Sequence, residues 1–373
     1  MKWFSPYSPL GLDIGSGQVK VVQLRRVAQQ WAVHDVAVAS VPPIEAPQTH
    51  EGRARIARCL ATLLEMGAFK GKQTVSVLPC TEADIRTVRV AHQEDTQDIR
   101  DVVRHEAESY LPYAVDEAVL DSIVIGEEGE DRHKQQRCLL VSARRANVDN
   151  HLALLQEAGL ECRALDVQPL ALSRLLLDHQ HHAAAAPLLV VDIGCHYSIA
   201  FVLWRGAMMY HRSVAWGGFV LTQAIMKDLD MNWERAEQLK QQYGIEPQTI
   251  ALNTLTAGGH RVNVQAMPGL IYEIVRPQLE SFAQELERIL SYWGVQFHGA
   301  VIQRVLLSGG SAALRNLAGY LQQRMAIDVA VVDPWQHFQP APRTRHRPNG
   351  QHAATPALAT AFGLALRGST THG

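Results

Sequence analysis

The sequence predicts an α/β protein of two lobes. Each lobe is built on a mixed β-sheet with flanking helices, and a small α/β subdomain is inserted in the first. Three observations carry this. An apolar run ending in Asp-x-Gly occurs twice, about half a chain apart, as Leu-Gly-Leu-Asp-Ile-Gly at 10–15 and Leu-Val-Val-Asp-Ile-Gly at 189–194. Each copy continues through small or polar residues into another apolar run, the pattern of a strand, a tight turn and a second strand. A stretch with its own strand–helix–strand–strand pattern, 84–145, interrupts the first half.

The bulk numbers agree with two compact units. A chain of 373 residues is too long for one small core. With 47% hydrophobic and 19% charged residues it is globular in composition. The formal net charge of −2 lacks the basic surplus of a nonspecific nucleic-acid binder, so no nucleic-acid partner is expected. Cys59, Cys80, Cys138, Cys162 and Cys195 are odd in number, scattered and without a C-x-x-C pair, which points to reduced thiols in a cytosolic compartment. The N-terminus lacks an apolar signal core. The most apolar stretch, 187–204, is broken by Asp192 and His196, so no direct membrane insertion is expected and any membrane association goes through a partner or a surface patch.

In order along the chain, alternation predicts a hairpin over 10–24 and a third strand near 31–39, closed by Pro42, Pro43 and Pro47. Ile56, Cys59, Leu60, Leu63 and Leu64 share one face of a helix over 51–66, and 73–79 reads as a strand. Within the insertion, strand 85–90 leads to a helix of about 94–110, strand 117–125, an acidic–basic tip at 126–136 and strand 137–143. Helix 147–158 ends at Gly159, followed by strand 161–167 and helix 168–180. His179, Gln180, His181, His182 and four alanines mark the boundary between halves; this histidine group has no supporting Cys or carboxylate spacing and reads as a solvated face. Strands 188–193, 199–204 and 207–213 then repeat the opening pattern. Helices are expected at 219–229, 232–242 and 265–296, with Pro277 kinking the last or delaying its start. Strand 303–308 runs into Gly309-Gly310-Ser311 at the start of a helix over 312–324, then come strand 328–332, a loop over 334–354 and helix 356–367.

The two hairpins suggest chemistry. Glycine lets a turn approach a ligand and aim its N–H groups at it. Two facing turns would clamp a nucleotide's phosphate chain, with Asp13 and Asp192 holding a hydrated Mg²⁺. A strand ending in Gly-Gly suits a nucleoside and its phosphates, and Glu237 and Lys240 share a helix face at i, i+3.

In this order the segments resemble the superfamily of actin, the sugar kinases and the heat-shock chaperone ATPases, whose corresponding pieces are called phosphate 1, phosphate 2 and adenosine. The likeness covers essentially the whole chain. The strings 104–113, Arg-His-Glu-Ala-Glu-Ser-Tyr-Leu-Pro-Tyr, and 161–167, Glu-Cys-Arg-Ala-Leu-Asp-Val, narrow it: they look like the PilM family, the cytoplasmic actin-like proteins of type IV pilus assembly, which are similar to FtsA. The resemblance implies an actin-like ATPase fold divided as 1–83 (1A), 84–160 (1C-like), 161–186 (return to the first lobe and connecting helix), 187–225 (2A), 226–298 (2B-like), 299–355 (2A and loop) and 356–373 (a helix returning to the first lobe).

The same resemblance implies ATP and Mg²⁺ between the lobes. Asp13, Gly15, Ser16, Gly17, Gln18 and Lys20 match the first phosphate segment; Asp192, Gly194 and Ser198 match the second; Gly217 and Gly218 match the turn after it. Glu237 and Lys240 match ribose contacts, and Gly309, Gly310 and Ser311 match the adenosine segment. Cys195, His196 and Tyr197 are bulkier than the small residues usual after this Asp-x-Gly, and His196 or Tyr197 would crowd the γ-phosphate. The implied partner is the N-terminal peptide of a PilN-like inner-membrane protein, held in a groove between 1A and 1C. Arg86, Val88, Arg89, Tyr110, Pro112 and Tyr113 are candidate lining, with Arg86 and Arg89 placed to meet carboxylates. Other platform proteins and self-association are also implied.

Plainer readings stand beside these. Asp13 and Asp192 would cap turns, Glu237 and Lys240 would be a surface pair, Lys20 an ordinary strand lysine, Cys195 a small buried thiol, and Tyr110, Pro112 and Tyr113 core residues. Asp166 and Gln168 either orient a water for hydrolysis or cap a turn, and binding with slow or absent turnover is the expectation. An FtsA-like filament former would show an amphipathic C-terminal membrane helix, which 366–373 does not resemble. A sugar-type kinase would need a larger first lobe with a substrate carboxylate.

Overall fold

The computed structural model describes residues 5–28, 30–41, 49–91, 96–128, 135–179, 186–246, 267–297, 300–340 and 356–367. The first hairpin is β1 (Leu10–Ile14) and β2 (Gln18–Val27), extended by β3 (Gln30–Ser40). After helix α1 (His50–Met66) come β4 (Gln73–Val77) and β5 (Ala83–Ala91). Helix α2 (Thr96–Glu108), β6 (Ala118–Glu128), β7 (Gln135–Arg144), helix α3 (Arg145–Glu157), β8 (Glu161–Asp166) and helix α4 (Gln168–His179) complete the first half. The second half begins with β9 (Leu188–Ile193), β10 (Ser198–Trp204) and β11 (Ala207–Val214). Helices α5 (Gly218–Leu229), α6 (Trp233–Tyr243) and α7 (Met267–Gln296) follow. Then come β12 (Arg304–Ser308), α8 (Leu317–Met325), β13 (Asp328–Val331), β14 (Gln339–Pro340) and α9 (Ala359–Leu366).

The duplication read in the sequence is a duplication of topology. One sheet runs β14-β3-β2-β1-β4-β8 and the other β11-β10-β9-β12-β13. In both, the strand bearing the Asp-x-Gly pairs antiparallel with the next strand and parallel with the one after the following helical segment. A third sheet, β5-β7-β6, belongs to the insertion. Its core is Val90, Val103, Ala107, Cys138 and Leu140, closed by α2.

The insertion ends earlier than 160. Leu154, Leu155 and Leu160 are buried with Leu10, Leu12, Val19, Val21, Ile56 and Leu60, so α3 belongs to the first-lobe core. Apolar spacing cannot say which sheet a helix covers. Three other expectations also shift. Gly310–Ala313 is a 3-10 turn and α8 begins only at Leu317, because Asn316 adopts φ 65°, outside the helical region. The expected loop from 334 carries a turn at Pro334–His337, capped by Asp333, and then β14, which pairs with β3 in the first lobe. The chain therefore crosses back before 355. Helix α7 is helical on both sides of Pro277. Its Phe282 stacks on Trp216 with ring centroids 3.9 Å apart and Trp293 meets Trp204 edge-on, so tertiary packing holds the helix through the proline.

Candidate functional site

The two hairpin turns are built alike. Gly15 N–H donates to the Gln18 carbonyl over 2.9 Å, and Gly194 N–H donates to the Tyr197 carbonyl over 3.0 Å. Each turn thus returns the chain four residues after its Ile, leaving the preceding aspartate on the strand beneath. Asp13 and Asp192 are both buried. Asp13 pairs across its hairpin with Lys20 at 2.9 Å. Lys20 Nζ lies under the turn, 3.3 Å from where a side chain on Gly15 would stand.

Asp192 lacks such a partner. Its Oδ1 is buried without a hydrogen bond. Burial first, and then the neighbouring charge of Asp13, raise its carboxyl to about 6, against the opposing pull of Lys20 and Ser308. A buried carboxylate facing another carboxylate, with an oxygen unsatisfied, fits a cation or hydrated cation nearby. Among the described residues no group of three or more His, Cys, Asp or Glu forms a metal cluster, so an ion here would rest on phosphates and water, as hydrated Mg²⁺ does.

Glycines press the second-lobe segments together. Gly309 has φ 87°, and a Cβ there would stand 2.7 Å from Asp192 Oδ1. A Cβ on Gly217 would strike the Cys195 carbonyl, and one on Gly218 the Ser311 hydroxyl. Ser311 Oγ donates to the Gly194 carbonyl over 2.9 Å, while Gly218 and Phe219 N–H groups donate to the carbonyls of Gly194 and Cys195. A Cβ on Gly310 would lie 3.9 Å from Gln18 Oε1, which crosses from the first lobe. The second phosphate segment, the start of α5 and the Gly-Gly turn are therefore one unit.

Glu237 and Lys240 are no surface pair. Lys240 is buried, and its ammonium donates to the Gly218 carbonyl (3.1 Å), Thr222 Oγ1 (2.9 Å) and Glu237 Oε2 (2.7 Å). Thr222 Oγ1 also bonds Glu237 Oε2, and Gln241 donates to Oε1. Burial pushes the Glu237 carboxyl up, but Lys240, Thr222 and Gln241 together outweigh it and hold it below its ordinary value. All three ammonium hydrogens are used inside the protein, so a ribose would meet the 22%-exposed side chain of Glu237, with Lys240 supporting it from behind. Thr222, which the sequence reading missed, completes this group. A threonine four residues into an apolar helix gives no signal in isolation.

Other candidates move away from the cleft. Ser198 is fully buried, and its hydroxyl donates to the Trp216 carbonyl over 2.7 Å, so it ties β10 to the segment before α5 instead of facing phosphate. Asp166 is held by Arg174 (2.9 Å) and Arg367 (3.0 Å) and accepts from Val167 N–H. Gln168 lines a small pocket with Leu78, Pro169, Ile199 and His211, and its Oε1 is buried without a hydrogen bond. Burial pushes the Cys195 thiol up, which makes it a poor thiolate. His181, His182, the side chain of His179 and the acidic–basic tip between 129 and 134 lie outside the described residues.

The candidate groove residues divide. Val88 and Tyr110 pack into the insertion's own core. Tyr110 lies beneath the Arg86 guanidinium, 4.9 Å from its ring centroid. Arg86, Arg89 and Pro112 are exposed, and Tyr113 is half-buried under Arg144 at 4.4 Å.

The family model described as "Type IV pilus assembly protein PilM" matches residues 11–256 and 257–369. The chain belongs to the PilM family. It is accordingly a type IV pilus assembly protein with an actin-like ATPase fold. The solved "PilM-PilN type IV pilus biogenesis complex" is similar over 98% of this chain and 100% of that one, at 25% identity and a TM-score of 0.83. The ethanolamine utilization protein EutJ from Carboxydothermus hydrogenoformans matches at 17% identity and a TM-score of 0.56, covering 97% of this chain and 90% of that one. The MamK double helical filament matches at 12% and 0.54, covering 97% and 99%. The last two show the shared fold. Among the described residues, no helix of this PilM-family chain is long and apolar enough to cross a membrane.

Proposed function

We propose that this PilM-family protein binds ATP with Mg²⁺ between its lobes and captures the cytoplasmic N-terminal peptide of a PilN-like inner-membrane protein. The observation that carries the nucleotide half is Asp192: a buried carboxylate with an unsatisfied oxygen, facing Asp13 and Lys20 beneath two matching turns. Bound Mg²⁺ would supply charge neutralisation for the phosphates. Asp13 and Asp192 would hold its water shell, the backbone of residues 15–18 and 194–197 would line the phosphates, Gly309–Ser311 would floor the nucleoside, and Glu237 would meet the ribose. Asp166 is committed to two arginines, which supports binding with slow or absent turnover.

The peptide half rests on the likeness to the solved complex, whose name pairs PilM with PilN. Arg86, Arg89, Pro112 and Tyr113 remain as exposed or half-buried contacts, while Val88 and Tyr110 support them from the insertion's core. Such a protein sits in the cytoplasm at the membrane's inner face through its partner, beside other platform proteins.

Titration of fluorescent ATP with Mg²⁺ into wild type, Asp13→Ala and Asp192→Ala tests the site. Binding that both substitutions weaken at least about tenfold, roughly one charge-assisted contact each, is expected. A folded wild type that binds no nucleotide at millimolar concentration would overturn it.

A further inference from the structure

The mouth of the cleft is closed by the two turns themselves. Ser16 Oγ and His196 Nδ1 share a hydrogen bond of 3.1 Å between the first-lobe turn and the second-lobe turn. Beside it, a Cβ on Gly17 would meet the Cys195 side chain at 3.6 Å, so the two turns lie side by side with room for little more than a methyl group. The imidazole is held in this direction by Phe219 at the start of α5, with ring centroids 4.9 Å apart. Phe219 is in turn fixed to the same turn by its N–H, which donates to the Cys195 carbonyl over 2.8 Å. His196 thus projects from a braced base onto the one hydroxyl of the first turn.

We propose that His196 is a gate that determines nucleotide entry: its imidazole takes the place of a phosphate oxygen on Ser16 and latches the lobes together until a nucleotide displaces it. This rests on the nucleotide reading of the site, but the latch itself is a property of the chain without ligand. A phosphate chain passing between the turns needs the hydroxyl of Ser16 and the space His196 fills, so nucleotide and imidazole exclude each other there. A ligand that binds the open arrangement must supply the free energy to break the latch, and removing the latch returns that factor to its apparent affinity. One exposed hydrogen bond corresponds to about two- to tenfold in an equilibrium constant.

The test uses the full-length chain with His196→Ala, Ser16→Ala and the double variant. Without nucleotide, hydrogen exchange at the amides of residues 15–18 and 194–197 is expected to speed up about two- to tenfold in each single variant. The double variant is expected to go little further than Ser16→Ala, which removes the His196 contact together with the hydroxyl's bond to the Cys195 thiol. With fluorescent ATP and Mg²⁺, His196→Ala is expected to bind faster and about two- to tenfold tighter than wild type. Unchanged exchange in the single variants, or additive effects in the double, overturns the latch. His196→Ala binding weaker than wild type overturns the gating and makes the imidazole a phosphate ligand. If no variant binds nucleotide while the exchange results hold, the latch stands and the nucleotide reading of the cleft falls.

Discussion

Lys240→Met separates a buried network from a surface pair. An i, i+3 pair on an exposed helix face contributes only a few tenths of a kcal/mol, about 0.2–0.5. Here the ammonium makes three hydrogen bonds, two of them to groups on α5, and so joins α6 to the turn that carries Gly217 and Gly218. Methionine retains most of the side chain's length and removes the charge. It leaves Glu237, only 22% exposed, with Thr222 and Gln241 as its neighbours. Breaking a well-buried pair by removing one partner costs about 3–5 kcal/mol, and partial exposure of the carboxylate lowers that here to roughly 2–3 kcal/mol. Urea denaturation gives the number directly. The double variant Glu237→Gln/Lys240→Met is expected to recover at least half the loss, because no unpaired carboxylate remains. A Lys240→Met chain within about 0.5 kcal/mol of wild type, or a double variant whose loss is the sum of the singles, would refute the network.

Gly309→Ala forces a side chain into a backbone region that glycine nearly monopolises and toward Asp192 Oδ1. A loss of about 2 kcal/mol or more, read by urea denaturation, is expected, with nucleotide affinity falling alongside. His151 is buried beneath β4, bonded to Ser76 over 2.9 Å, and burial lowers its imidazole from 6.5 to about 4. The unfolded chain therefore takes up this proton first as pH falls: the contribution is full above about 6.5 and is lost progressively down to about 4, up to about 3 kcal/mol. His151→Gln is expected to flatten that part of a stability–pH profile, and an unchanged slope between pH 6.5 and 4 would count against it. Arg86→Glu is expected to weaken binding of a PilN-type N-terminal peptide by about tenfold while costing under about 1 kcal/mol of stability through its stacking on Tyr110. Peptide titration and thermal melts read the two effects separately.

What the sequence revealed follows from the kind of signal each feature emits. The paired hairpins were legible because Asp-x-Gly, flanked by apolar runs, is a local pattern, and the structure returns it as two sheets of matching order. The strand that closes the insertion was legible over 137–143, but the division drawn at 160 takes in one helix more. Helix α3 is amphipathic whichever sheet it covers, and only the shared burial of Leu154 and Leu155 with Leu12 and Leu60 assigns it. Ser198 was misread for a related reason. Alternation fixes that it is on a strand, but its hydroxyl is claimed by Trp216, eighteen residues on. Asp166 was left open between orienting a water and capping a turn, and its partner Arg367 lies at the far end of the chain. The Gly-Gly turn was placed correctly, but the helix after it was not, since Asn316 in a left-handed conformation emits no strong sequence signal.

The connections between lobes supply a route by which a nucleotide at the second-lobe turn would reach the insertion. The chain leaves the first lobe after α4 and returns to it between β13 and β14. Gly309 N–H, in the turn that would floor the nucleoside, donates to the Pro356 carbonyl over 3.1 Å at the entry to α9. Helix α9 packs against β1, with Gly11 admitting the backbone of Ala361 and Ala365, and against α4, with Gly363 pressed on Ala171. Arg174 on α4 donates to the Gly363 carbonyl and pairs with Asp166 at the end of β8, while Arg367 closes the same carboxylate. These close contacts leave little room for α4 and α9 to slide, so a shift of the Gly309 turn would be carried into the first lobe. The insertion's sheet hangs from that lobe through β5, just past β4, with Ile85 and Leu139 buried in the same core as Leu172 and Phe201 of the two lobes. Under the proposed function, a change of cleft width would alter a groove beside the insertion, and that difference is what coupling requires. The coupling is reciprocal. A PilN-type peptide that prefers the nucleotide-bound form must raise nucleotide affinity by the same factor that nucleotide raises its own, and titrations in both orders that gave different factors would exclude this route.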